Sequence, residues 1–175
     1  MKKHIGLIIT TGALLLMTST ALSTAFAAGS EVKWTEPEKY RDIRPGDENR
    51  KRFQERTFKE LELYFAKLAA RLPEKQQLKI EVTDVDLAGD VRFGSHRQIR
   101  IIKEIYAPRM TFSYQLFSAD ETLLSSGEVD LKDMSFMRGS RLKHRSESFN
   151  YEKNMLDDWF EETFSPVVAA ATQGE

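Results

Sequence analysis

The sequence predicts a two-layer α+β sandwich in which one mixed, mostly antiparallel sheet of four to five strands carries two helices on a single face. Three observations predict it. Apolar residues recur at spacings of three and four in two separated stretches, 58–72 and 149–164, as amphipathic helices require. Between them the apolar period switches to two. A short alternating run also precedes the first helix, so the order strand, helix, strand favours a parallel pair joined by a right-handed crossover, while the later, tightly joined strands run antiparallel.

In EVKWTE, Val32 and Trp34 share one side of the first strand. PEKYRDIRPGDEN is charged and rich in turn formers, and connects it to the helix. Asp47 or Asn49 caps that helix, Phe58, Leu61, Phe65, Leu68 and Leu72 form its apolar stripe, and Pro73 ends it. Leu78, Ile80 and Val82 face one way and Lys79, Glu81 and Thr83 the other, the pattern of a half-buried strand. RQIRIIKEIY supplies a further alternating run with Ile99, Ile101 and Ile105 on one parity, broken by Pro108. Met110, Phe112, Tyr114 and Leu116, then Leu123, Val129 and Leu131, read as a hairpin closed by SADET. Residues 132–145 read as a long loop, and the final helix runs from about Ser146 through Phe149, Met155, Leu156, Trp159, Phe160 and Phe164 to its end at Pro166.

The N-terminus sets the expected location. Lys2 and Lys3, an apolar stretch from Ile5 to Leu22 and Ala25-Phe26-Ala27 have the layout of a cleavable secretory signal, which predicts a periplasmic protein beginning at Ala28 or Gly29. The expected organisation is a signal peptide at 1–27, one α+β domain at 28–165 and a flexible tail at 166–175, with no transmembrane anchor after processing. The chain has no cysteine, which removes disulfides, thiolate metal sites and thiol nucleophiles from consideration. Without the two signal lysines, 24 basic residues face 27 acidic ones, a net charge of −3 that selects no class of partner.

VTDVDLAGD is the stretch that most resembles a chemical site. On an unbroken strand, Asp84 and Asp86 would share the buried parity of Leu78, Ile80 and Val82, where two carboxylates would demand metal or hydrogen-bonded partners. A bulge near Thr83 and Asp84 solves this at less cost, because it turns Val85 and Leu87 inward and both aspartates outward. Asp84, Asp86 and Gly89 are therefore expected to be structural turn residues. An EF-hand does not fit: its third ligand position is Ala88 and Ser95 stands where the bidentate Glu belongs.

His96 and His144 lie in polar, basic surroundings and read as surface histidines. Ser95 beside His96 lacks the strand-turn-helix context of a nucleophile elbow, and no glycine-rich phosphate loop is present. No catalytic residue, metal ligand or cofactor is expected. Two basic segments stand out: Arg92, His96, Arg97, Arg100 and Lys103, and Arg138, Arg141, Lys143, His144 and Arg145. The second is the candidate anion contact, unless these charges are neutralised by Glu147, Glu152, Asp157 and Asp158 across the fold.

KWTEPEKYRDIR, LPEKQQLKIEVTDVDLAGD, IYAPRMTFSYQLF, SGEVDLKDMSF and YEKNMLDDWF, in this order, resemble the uncharacterised bacterial family catalogued as domain of unknown function 3016. The resemblance spans Val32 to Phe164 and implies an exported bacterial protein; it carries no activity and no functional residues. The reading is a non-catalytic binding or interaction module of the envelope. Its expected partner is an envelope protein or an anionic envelope component rather than nucleic acid. The alternative is a small periplasmic hydrolase using Asp84, Asp86 and His96.

Overall fold

The computed structural model describes residues 29–94, 96–138, 144 and 146–172, without the side chains of 170–172. The expected signal peptide at 1–27, Ser95, and Arg141, Lys143 and Arg145 of the basic loop lie outside the described residues. The main sheet has the order β1 (Gly29–Trp34), β2 (Gln77–Asp86), β5 (Arg109–Phe117) and β6 (Leu123–Lys132). β1 pairs parallel with β2 through α1 (Arg50–Ala69), and β2, β5 and β6 pair antiparallel. With α2 (Asn150–Thr172), this is an α+β sandwich of mixed sheet and two helices.

One cluster joins the layers. Leu61, Phe65 and Leu68 of α1 and Leu156, Phe160 and Phe164 of α2 meet Leu78, Ile80, Val82, Met110, Phe112 and Leu116 of the sheet, all nearly inaccessible to water. The opposite sheet face carries Lys33, Glu81, Lys79 and Glu31, paired across strands at 2.9 Å and 3.9 Å. Helices on one face and charged strands on the other explain the alternation in β2 from Leu78 to Val82, since only one parity has a dry layer to enter.

Local chemistry decides the element ends. Asn49 caps α1 by accepting the Arg52 N–H at 3.1 Å, while Asp47 accepts the Gln98 N–H at 2.9 Å and so serves another element. α1 stops at Ala69, before Pro73, and Leu72 continues into the core from the following turn.

Two element assignments differ from the sequence expectation. RQIRIIKEIY does not enter the main sheet: β4 (Gln98–Ile101) pairs only with β3 (Asp90–Phe93) as a separate hairpin inserted between β2 and β5. Because β2 and β5 are direct neighbours, no position remains between them for a further strand, and Ile99 and Ile105 stay exposed. α2 begins at Asn150 instead of near Ser146, because Phe149 has φ 55°, outside helical space. It also continues through Pro166 to Thr172, where the helix end and a flexible tail were expected. Proline removes one helical hydrogen bond, and the packing of Val168 on the core retains the turn beyond it.

Candidate functional site

VTDVDLAGD forms the end of β2 and the turn into β3. The register of β2 against β5 shifts between Val82 and Asp84, and Val85 and Leu87 are accordingly buried while Asp84 and Asp86 are only partly so. Asp84 Oδ1 accepts the Arg41 N–H at 2.8 Å, and the Arg41 guanidinium lies 3.5 Å from Asp84 and 3.9 Å from Asp86. Asp86 is still a ladder residue, opposite Arg109 and bridged to Asp42. Burial, then the neighbouring Asp42 carboxylate, raises its pKa, and Arg41 opposes both. Gly89 has φ 87°, and a Cβ there would stand 2.7 Å from Ile101 O, so the close approach of β4 requires glycine.

Arg100 closes this turn. Its Nη1 reaches Asp42 Oδ2 at 3.0 Å and the carbonyls of Leu87, Ala88 and Gly89 at 3.3, 3.2 and 3.1 Å, and its Nη2 donates to Arg44 O at 2.9 Å. From the other side, buried Glu152 in the first turn of α2 accepts the Ala88 N–H at 2.7 Å. Around the adjacent cleft, about 340 Å³ in volume, most charges are matched: Arg44 pairs with Asp42 and Asp90, and Arg109 grips Asp130 through two hydrogen bonds. Arg100 thus belongs to the fold, not to a free basic surface.

His144 also leaves the expected surface. It is 7% exposed, with Nε2 at 2.8 Å from Tyr64 Oη and 2.9 Å from Asp157 Oδ2, and Nδ1 at 3.0 Å from Glu147 Oε1. Carboxylates at both ring nitrogens satisfy its hydrogen-bonding capacity in the interior, which is why it does not remain in water with the other basic residues. Buried Lys153 extends the network to Glu147 at 2.9 Å and Glu60 at 3.4 Å, and Arg71 approaches Asp157 at 3.4 Å. Hydrogen bonds from Lys153, then from His144, pull the Glu147 pKa from 4.5 down to about 2. Burial instead raises the pKa of Glu152.

These opposite shifts give opposite pH dependences. A depressed folded-state pKa means that the Glu147 contribution is complete above its ordinary 4.5 and is lost as pH falls toward about 2. A raised one means that the Glu152 contribution is present below the ordinary carboxylate range and is lost as pH rises through the folded value. Urea midpoints measured from pH 2 to 7 are therefore expected to fall less on the acid side in Glu147→Gln. In Glu152→Gln, which keeps an acceptor for Ala88, they should hold up better at neutral pH. Parallel profiles for both variants and wild type would contradict the assignment.

The third assembly lies where the β3–β4 hairpin, residues 102–108 and the turn after β6 meet. Asp133 N–H donates to Pro108 O at 3.2 Å, and buried Phe136 packs on Ala88 and Ala107, with its ring 4.9 Å edge-on from Tyr151. With Phe136 turned inward, Met134 and Met137 are left 59% and 43% exposed. Arg138 pairs with Glu104 at 3.5 Å, and Arg92 hydrogen-bonds the Tyr106 hydroxyl, tying the hairpin to the same end. Phe93 is 81% exposed and Ile105 75%. Arg97, Lys103 and Lys132 have no carboxylate partner among the described residues. Scattered exposed apolar side chains are ordinary; here four of them lie on the β3–β4 hairpin, the turn after β4 and the turn after β6.

Of the proposed acid-base set, Asp84 and Asp86 lie together beside Arg41, whereas exposed His96 stands in the β3–β4 turn with no described bond to either. Among the described residues no group of three or more His, Asp or Glu could hold a metal ion. The buried Tyr64, Glu152, Lys153 and Asp157 were not singled out as site residues. A signal existed: Lys153 and Asp157 fall at helical spacing with Phe160 and Phe164, and Glu152 with Met155, Leu156 and Trp159, which puts charges on a stripe bound for the core.

No curated protein and no solved structure matches this chain. The model of the family described as a protein of unknown function (DUF3016) matches residues 28–162, most of the chain and all of the sheet, and the protein therefore belongs to that family.

Proposed function

We propose that this protein is an exported, non-catalytic module of the bacterial envelope that contacts an anionic component through the end formed by the β3–β4 hairpin and the turn after β6. One observation carries the reading: Arg138, the exposed described cation of the second basic segment, lies 3.5 Å from Glu104, next in sequence to Lys103 of the first, Phe136 seats on Ala107, and Arg97, Lys103 and Lys132 are uncompensated among the described residues. The sequence adds Arg141, Lys143 and Arg145 to the same connection. His144 is withdrawn from the contact set by its burial and anchors the connection to both helices instead. The signal-like N-terminus supports export, and no described helix is long and apolar enough to cross a membrane.

The test is binding of the purified protein to phosphatidylglycerol vesicles and to dextran sulfate across a salt series. Exposed electrostatic attraction is screened within about 8 Å at physiological salt, so affinity should fall steeply as salt rises. A cation near an anionic surface contributes about 1 kcal/mol. Reversing Arg97, Lys103 and Arg138 together to Glu is therefore expected to weaken binding at least about hundredfold, while the melting temperature changes little because all three are exposed. Equal binding by the variant and wild type would refute the proposal.

A further inference from the structure

We infer that the anionic component is a lipid bilayer surface, on which Phe93, Ile105, Met134 and Met137 enter the boundary between headgroups and acyl chains while the surrounding cations hold the headgroups. The inference rests on the basic-end reading above and adds the class of partner. A soluble polyanion would use the cations and leave the apolar side chains in water. The exposed apolar groups therefore discriminate between the two. They sit on a hairpin and two turns, and none of the four is needed by the core, whose places at this end are taken by Ala88, Ala107 and Phe136.

The local backbone explains why they point outward. In the hairpin, Gly94 N–H donates to Arg97 O at 2.8 Å, a tight reversal that leaves Phe93 at the tip while Arg92, its neighbour on the other side of the strand, turns back to Tyr106 and Asp90. Ile105 lies in the turn after β4 and stays exposed, whereas Ala107 beyond that turn is buried. Asp133 Oδ1 accepts the Ser135 N–H at 2.8 Å, and Arg138 N–H donates to Ser135 O at 2.8 Å, fixing a turn in which Phe136 alone is buried. The cations Arg97, Lys103, Lys132 and Arg138 flank these positions, and among the described residues their one paired carboxylate is Glu104. Apolar insertion and basic attraction are each weak alone and together give stable peripheral binding.

The experiment uses protein purified from cells expressing the full coding sequence, with three probes: vesicles containing phosphatidylglycerol, vesicles of phosphatidylcholine alone, and dextran sulfate. Phe93→Ser combined with Ile105→Ser is expected to lower partition onto phosphatidylglycerol vesicles at least about tenfold, with dextran sulfate binding and melting temperature unchanged. In Phe93→Trp, tryptophan emission is expected to shift to the blue with phosphatidylglycerol vesicles and to stay unchanged with phosphatidylcholine vesicles. Two results overturn the bilayer inference and leave the basic-end reading standing: dextran sulfate binding without vesicle binding, or vesicle binding that the serine variant retains and the charge-reversal variant loses. Failure of both anionic probes overturns both.

Discussion

Arg100→Leu is expected to cost about 3–5 kcal/mol, the range for removing one partner of a buried charge pair. In a domain of this size that corresponds to a loss of roughly 10 °C in melting temperature. The leucine would bury apolar surface, but it leaves the Asp42 carboxylate, 5% exposed, without the guanidinium 3.0 Å away, and four main-chain carbonyls without their donor. Arg44 retains its own bond to Asp42, so the carboxylate keeps one of its two cations. Arg100→Lys should recover little, because one compact ammonium cannot serve acceptors spread over Asp42, the 87–89 turn and Arg44. Adding Asp42→Asn to Arg100→Leu should restore part of the loss, since part of it is an uncompensated charge. Urea unfolding measures all three, and a loss below about 1 kcal/mol for Arg100→Leu would mean that water replaces the guanidinium without difficulty.

Phe112→Ala is expected to cost about 3–5 kcal/mol, with Phe112→Leu well below it. Phe112 is fully buried at the centre of the sheet, opposite Val82 on β2 and Val129 on β6. Its ring stands edge-on to Phe65 of α1 at 5.9 Å and to Trp159 of α2 at 4.9 Å. Its ring therefore meets both helices from one strand, and alanine there opens a cavity that neither helix can collapse into without leaving the other. Denaturation followed separately by far-ultraviolet circular dichroism and tryptophan fluorescence should remain a single transition at a lower midpoint. Two separated transitions would show that the helices are not coupled through this ring.

Much of this was legible along the chain because it depends on neighbours in sequence. The stripes of α1 and α2, the alternation of β2, β5 and β6, and even the phase change at Asp84 follow from which parity can be dry, and the register shift between Val82 and Asp84 is the one the apolar residues Val85 and Leu87 require. The alternation of Ile99, Ile101 and Ile105 misled for a related reason: period two reports a strand with unequal faces but not the sheet it joins, and the β2–β5 pairing left β4 only β3 as a partner.

The sequence by itself determined the fold class, the parallel first pair, the core faces and the presence of two basic segments, since periodicity, turn formers and charge are local properties. Only the tertiary structure decided the fate of individual charges. Arg100 and His144 sit in the two basic segments, yet the chain packs Arg100, half-buried, against Asp42 and buries His144 against Tyr64 and Asp157. Arg97, Lys103 and Arg138 stay in water. The difference lies in partners: Asp42 comes from 58 residues away for Arg100, and His144 gains the Tyr64 hydroxyl from 80 residues away and the Asp157 carboxylate from 13, and a polar group leaves water only where such partners arrive to offset the loss. That information exists in the packing of the helices against the sheet, and no local pattern carries it.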